Sequence, residues 1–240
     1  MQAPGSYHHS IIVGALVEAA AESVNANSLL ARVMAYYHDL GKGCNPGYFV
    51  ENQRQAHNPH DKLKPSMSAM IIRRHVTDGL ELARKHRLGA PILAGIAQHH
   101  GTTLIHFFYH RAKEQAQDGD TVNEADYRYP GQKPQSREAA LVMLGDSIEA
   151  ASRSMQETTP SRLQGLVNRI ISSKFTDGQL EECDLTLRDL HTIAKSFSRV
   201  LNSIYHHRPE YPDQAPRRPA SEAMAAADAG EAEGLRRLGL

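Results

Sequence analysis

Apolar residues recur along this chain at intervals of three and four, the spacing of helices with one buried face, and strand-like alternation is almost missing. In residues 10–24, SIIVGALVEAAAESV, Ile12, Leu16, Ala19 and Ala20 lie on a different side from Ile11, Ala15, Glu18 and Glu22, which predicts an amphipathic helix. Ser28 is the expected cap of a second helix, LLARVMAYYHD, ended by Gly41 and Gly43. Residues 43–65 read as an irregular loop with one short helix at 48–53, and structureless loops of that length are usually functional. Ser66 opens a helix to about His75, and Asp78 is expected to cap a separate one through His86. Pro91 suits the first turn of ILAGIAQHH, Gly101 breaks that helix, and Thr102 or Thr103 restarts one through about Gln117. After a surface excursion at 118–135, Ser136 caps a long helix to Gln156 and Pro160 opens another to about Phe175. Thr186 with Asp189 forms a capping box for a last helix reaching Tyr205. From Pro212 the chain holds eight alanines among prolines and scattered charge, with no apolar face, so 212–240 is expected to be a disordered tail. The expectation is an all-α fold, a single helical bundle over residues 1–211.

Composition narrows the function. At 240 residues the chain can bury a core without staples, and its two cysteines, Cys44 and Cys183, are too few for a disulfide framework. Lys plus Arg and Asp plus Glu both number 27, which argues against bulk attraction to polymeric nucleic acid but leaves room for a local cationic site. No run of 18 apolar residues exists, and residues 1–7 lack the regions of a signal peptide, so a cytosolic setting is expected. Histidine is the outlier: 11 of 14 lie in the first 110 residues.

Those histidines sit at helix ends. His8-His9 opens the first helix, His38-Asp39 ends the second, His75 ends the helix at 66–75, and His99-His100 ends ILAGIAQHH. Asp146, between Leu144 and Ile148 in LVMLGDSIEAASR, places a carboxylate on a mostly apolar stripe, and a buried carboxylate needs a partner. Each residue alone is ordinary. Together, five separated segments offer imidazole and carboxylate, a donor set suited to zinc, iron, manganese, cobalt or nickel. Tyr36, Tyr37, Phe107, Phe108 and Tyr109 are expected to be mostly core, with room for one to stack on a base. His106 and His110, one turn apart, read as surface residues; His206 and His207 read as solvated, and His57 and His60 in the long loop stay open.

The H…HD…D order, with YHHS, YYHDLGK, YFVENQ, QHHGTT and DGQLEECDLTLRDL around it, resembles the HD-domain metal-dependent phosphohydrolases. The longer run of motifs is similar to the cytosolic catalytic domain of seven-transmembrane HD-domain proteins that cleave cyclic-di-AMP, over about residues 5–211. The resemblance implies an all-helical domain with two divalent ions, commonly iron or manganese. It implies His9, His38, Asp39 and Asp146 on one ion, and His75, His99, His100 and the other oxygen of Asp39 on the second. His9 is preferred to His8 by the motif. Such proteins carry a sensor and a membrane bundle ahead of this domain, which implies an excised domain or truncated homologue whose only tie to a membrane is through segments absent here. Gly145 stands where the family usually has alanine, and no ligand position departs.

The activity so implied is hydrolysis of cyclic-di-AMP to linear pApA by a hydroxide shared between ions about 3.5–4 Å apart. Asp39 and Asp146 would leave such a centre at about +2 before hydroxide joins, suited to a phosphodiester anion. Lys42 is expected at the phosphate or the leaving group, and Arg128, Tyr129 and Lys133 at the second nucleotide. Two alternatives remain: another nucleotide or cyclic dinucleotide as substrate, or a sensing module that binds without cutting. Relatives that cut cyclic-di-GMP carry HHE-x-x-DG-x-GYP, whereas Gly-Thr-Thr follows His99-His100 here.

Overall fold

A computed structural model describes residues 2–53, 58–117 and 121–205. Eight α-helices account for most of them: α1 Pro4–Ser23, α2 Ser28–Tyr37, α3 Pro65–Lys85, α4 Ala90–Gln98, α5 His106–Gln115, α6 Arg137–Arg153, α7 Pro160–Thr176 and α8 Leu187–Ile204. There is no strand among the described residues, only one antiparallel bridge between Leu104 and Arg128. The all-α expectation therefore stands. The described residues lie in one compact unit, and none of their helices is long and apolar enough to cross a membrane. The expected tail at 212–240, with His57, His206 and His207, falls outside the described residues.

The main core is built by α1, α2, α6, α7 and α8. α8 shows how the pattern does it: Leu190, Ile193, Ala194, Phe197 and Leu201 follow i, i+3, i+4, i+7 spacing and are all buried. Its start is the capping box read from sequence, with the Thr186 side chain accepting from the Asp189 amide and the Asp189 carboxylate accepting from the Thr186 amide. α6 is buried nearly all round, from Ala139 through Asp146, and again at Ile148, Glu149 and Ser152. Gly145 lets it approach α1: a Cβ there would stand 2.8 Å from Val17 Cγ1. A smaller cluster of Ala69, Phe108, Ala112 and Tyr127 joins α3 and α5 to the 124–127 turn.

Several boundaries differ from the sequence expectation. α1 starts at Pro4, one and a half turns early, because proline fits a first turn and nothing before Ser10 interrupts the helix. His9 is thereby inside a helix. Asn27 is the cap of α2, accepting from the Leu30 amide, and Ser28 is its first residue. α3 is one helix rather than two: Asp78 pairs with Arg74 along the helix surface, 3.2 Å from its Nε, and caps nothing. The loop after α2 is a chain of short 3-10 turns at Leu40–Cys44, Pro46–Tyr48, Val50–Asn52 and Pro59–Lys62. α5 begins only at His106, because residues 103–105 pair with 127–129 through Ile105 N to Tyr127 O and Tyr129 N to Thr103 O. α6 stops at Arg153. Of the aromatics expected in the core, Phe108 is buried, but Phe107 is 66% exposed and Tyr37 36%.

Two glycines set the entry to the site. At Gly41 a Cβ would lie 1.9 Å from the His75 carbonyl oxygen and 2.5 Å from Gly79 N. Only a bare backbone lets the turn after Asp39 lie against the middle of α3, which brings Asp39 to His75.

Candidate metal centre

Five helix segments deliver side chains to one point. α1 supplies His9, the end of α2 His38 and Asp39, α3 His75, the end of α4 His99 and His100, and α6 Asp146. All are buried except His100, which is partly open. His8 is exposed and points elsewhere than its neighbour.

The rings are held by a repeated device. Nδ1 of His38, His75 and His99 lies 2.7, 2.6 and 2.8 Å from the carbonyl oxygens of Ala35, Ile72 and Ile96, each three residues back. A carbonyl only accepts, so each Nδ1 carries a proton and each Nε2 is the nitrogen turned inward, the one whose lone pair an ion would take. His9 Nδ1 instead donates to Glu149 Oε2 at 2.5 Å, and Glu149 is 1% exposed.

The inward atoms form two groups sharing Asp39. In one, His9 Nε2 lies 3.3 Å from His38 Nε2, 3.5 Å from Asp39 Oδ2 and 3.1 Å from Asp146 Oδ1, and His38 Nε2 is 3.2 Å from Asp39 Oδ2. In the other, His75 Nε2 lies 3.1 Å from His99 Nε2, and these two atoms are 3.4 and 3.6 Å from Asp39 Oδ1. His100 completes the second group, with Nδ1 3.6 Å from Asp146 Oδ2. Ligands about 2.1 Å from one ion stand roughly 3.0 Å apart at a right angle and 3.4 Å at a tetrahedral angle. The observed separations match a cation at the middle of each group.

Protons alone do not satisfy this arrangement. Burial, with His99 beside it and only partly opposed by Asp39, pushes His75 down to about 3, and burial with His99 lowers His100 well below the ordinary value. His75 and His100 are neutral at pH 7, and with its Nδ1 proton on the Ile72 carbonyl His75 turns its Nε2 lone pair toward Asp39 Oδ1. Neither oxygen of Asp39 has a well-directed hydrogen bond, although Lys42 Nζ stands 2.7 Å from Oδ2 as an ion pair. The first group is different. Burial opposes charge on His9 and His38, but Asp146 and Glu149 raise His9 to about 9, and Asp39 and Asp146 raise His38 to about 10. Burial likewise opposes charge on Asp39 and Asp146. His38 and Lys42 hold Asp39 well below the carboxylate range, and His38 and His9 do so for Asp146. Without a metal, protons on His9 and His38 stand in for the missing cation. The residues fit two divalent ions.

The four substrate-facing candidates divide. Lys42 is at the centre, bridging Asp39 and Glu51, whose Oε1 lies 2.9 Å away. Tyr129 is buried with its ring stacked on His100, centroids 4.1 Å apart, so it buttresses that imidazole. Arg128 is spent on Glu124, the Thr102 carbonyl and Asp177, at 2.8, 2.9 and 3.0 Å. Lys133 is spent on Glu181 at 2.9 Å. The open loop expected around Arg128 and Lys133 is braced to the 177–181 turn, leaving neither cation unpaired. His60, open in the sequence, is buried and bonds the Tyr48 carbonyl; His106 and His110 are exposed as expected.

Sequence reasoning missed Glu149 and Glu51. Glu149 lies three residues after Asp146, one helical turn along the same face, which is a readable signal. Glu51 lies in YFVENQ, but its reach to Lys42 and to Ser6 Oγ depends on how the long loop folds back on α1.

Fold and site together define a helical domain with two adjacent His/Asp groups that share one aspartate. The family profile described as HD domain matches residues 6–151, and the chain belongs to that family. It is 52% identical over 212 residues to a protein of Bacillus subtilis named cyclic-di-AMP phosphodiesterase PgpH, covering 88% of this chain and 29% of that protein. The Listeria monocytogenes protein of the same name is 48% identical over 213 residues, with 89% and 29% covered. This chain thus spans under a third of the length of these relatives. The crystal structure of the Listeria PgpH HD domain in complex with cyclic-di-AMP superposes with a TM-score of 0.82 at 47% identity, covering 85% of this chain and 94% of that one.

Proposed function

We propose that this chain hydrolyses cyclic-di-AMP to linear pApA, using two divalent ions, iron or manganese. The observation that carries the reading is the convergence of His9, His38, His75, His99, His100 and Asp146 on a buried Asp39, neither oxygen of which has a well-directed donor. The similar proteins named above, one of them solved with cyclic-di-AMP, support the substrate. His9, His38, Asp39 and Asp146 would hold one ion, and His75, His99, His100 and Asp39 the other. When bound, such a pair supplies a water nucleophile near neutral pH and withdraws charge from the phosphoryl oxygens.

This chain's own residues do the rest. A cavity of about 330 Å³ lined by His9, Lys42, Glu51, Asp146, Glu149 and Arg153 opens onto the cluster and admits a phosphodiester. The bond to break is P–O3′, the water oxygen ends on phosphorus, and the departing O3′ takes up a proton. Burial opposes the charge on Lys42, but Asp39 and Glu51 raise its pKa, so it stays an ammonium. It is the cation within reach of the cavity's reacting end and stabilises the leaving oxygen. Lys42 offsets Glu51, and Arg153, 3.8 Å from Glu149, offsets that acid, so the loaded centre stays at about +2. That still favours an anionic substrate in a chain of zero net charge. We place the activity in the cytoplasm, in keeping with two free cysteines. Manganese-loaded protein incubated with cyclic-di-AMP should yield pApA by chromatography, and Asp39→Ala should not. A parent inert with manganese and with iron under anaerobic conditions overturns the reading.

A further inference from the structure

Lys42 has two ion-pair partners among the described residues, and they differ in kind. One is Asp39 Oδ2, 2.7 Å from its Nζ, the oxygen that also faces His9 and His38. The other is Glu51 Oε1 at 2.9 Å, which lies in the loop after α2 and in neither His/Asp group. That carboxylate is fixed by the loop's grip on the start of α1. The Ser6 hydroxyl donates to Glu51 Oε1 at 3.0 Å and accepts from Asn52 Nδ2 at 2.8 Å. Asn52 Oδ1 accepts from the amides of Gly5 and Ser6 at 2.9 and 3.2 Å, two first-turn donors with no acceptor inside the helix. A Cβ at Gly5 would clash with the Glu51 carbonyl oxygen, so helix and loop touch backbone to backbone. The ammonium rests over the Phe49 ring, 5.2 Å from its centroid, and the same ring packs on His75 with centroids 5.7 Å apart.

Asp39 Oδ2 is therefore claimed twice. An ion drawn between His9, His38 and Oδ2 repels an ammonium on the same oxygen, while Glu51 still attracts that ammonium from the other side. We propose that Glu51 is the positioning residue for Lys42, the anchor that keeps its ammonium beside the cavity when Asp39 Oδ2 turns to an ion. Lys42 is then a place-holder on Oδ2 in the metal-free protein and a cation held for the departing O3′ in the loaded one. Glu51 sets the balance between the two, and Ser6 and Asn52 hold Glu51 in place. The inference rests on the hydrolase reading above, which puts Lys42 at the leaving oxygen.

The test is a double-mutant cycle of Glu51→Gln and Lys42→Met, read first by titrating metal-free protein with manganese against a competing chelator. Glutamine keeps an acceptor for Ser6 and loses the charge that holds the ammonium. Glu51→Gln should weaken one equivalent about tenfold, because Lys42 then stays on Asp39, and should change it less than about twofold once Lys42 is methionine. Lys42→Met alone should tighten the same equivalent, its competitor being gone. The second readout is turnover. A sugar alkoxide needs a cation to leave, and p-nitrophenolate does not. In Glu51→Gln, kcat for cyclic-di-AMP should fall about 10- to 100-fold with the loss on kcat rather than KM. The ratio of that kcat to the kcat for bis(p-nitrophenyl) phosphate should fall about tenfold or more, whereas a misfolded variant would lose both rates together. Additive effects on manganese binding, or equal loss on the two substrates, overturn the proposal. A parent that binds manganese but does not cut cyclic-di-AMP, with Glu51 acting only when Lys42 is present, upholds the pairing and sinks the hydrolase reading. A parent that cuts, with the two substitutions additive, has the reverse meaning. A parent that takes up no manganese overturns both.

Discussion

Glu149→Gln isolates one charge behind one ligand. The carboxylate is buried, and its Oε2 takes the Nδ1–H of His9 at 2.5 Å. Its other oxygen has no hydrogen-bond partner and lies 3.8 Å from Arg153 Nε, so a glutamine fits the same volume with its amide nitrogen on that side. What is lost is the negative charge that orients the ring and makes Nε2 a stronger donor. Removing such an outer partner weakens metal binding by about 10- to 100-fold. The same range follows from the roughly 1.5–3 kcal/mol of a hydrogen bond to a charged group. The assay is titration of metal-free protein with manganese against a competing chelator, resolving two equivalents. One equivalent should weaken by that factor and the other, held by His75, His99, His100 and Asp39, by less than about threefold. Equal weakening of both, or of neither, would refute the idea that Glu149 acts through His9. Glu149→Ala should be worse for stability, since it leaves the His9 Nδ1–H buried without an acceptor.

Other expectations follow from the same geometry. His9 and His38, raised to about 9 and 10, keep protons at pH 7 that an ion must displace, whereas His75 at about 3 is already neutral. Because two protons are displaced, manganese affinity of the first group should rise about a hundredfold per pH unit from 7 toward 9, and that of the second should stay nearly flat, as read by calorimetry in buffers of different ionisation enthalpy. Both raised values exceed the unfolded 6.5, so their contribution to metal-free stability is fully present below pH 6.5 and fades as pH climbs through 9 and 10; thermal melts across that range check the sign. Gly41→Ala drives a methyl into the His75 carbonyl and should cost about 3 kcal/mol, a drop of roughly 6–12 °C in Tm, with metal binding impaired. Arg128→Ala removes half-exposed ion pairs to Glu124 and Asp177 and should lower Tm by only about 2–4 °C while KM for cyclic-di-AMP moves less than about twofold.

Much of this was legible because the signals are local. The capping box at Thr186 and the Ser136 cap are each complete within one stretch of sequence, and both hold. Asp146 was readable because a carboxylate between Leu144 and Ile148 must be buried, and it is. The seven-residue cluster is a different matter. Helix ends rich in His and Asp raised the prospect of a metal, but the grouping around Asp39 came with the family resemblance, since it depends on how five segments cross. What escaped was decided by tertiary contact. The merged α3 carries no breaker, yet Asp78 read as a cap because its pairing to Arg74 across the helix surface leaves no trace in a capping pattern. Arg128 and Lys133 read as free loop cations because Asp177 and Glu181 lie about fifty residues away in sequence.

The central claim is a pair of ions joined by Asp39. The direct measurement is the manganese content of the parent and Asp39→Asn by elemental analysis, with electron paramagnetic resonance of the same samples. The account predicts two ions per chain in the parent with an exchange-coupled signal, and loss of the coupling together with at least one ion in Asp39→Asn. A parent that binds a single ion, or two that show no coupling, would contradict it.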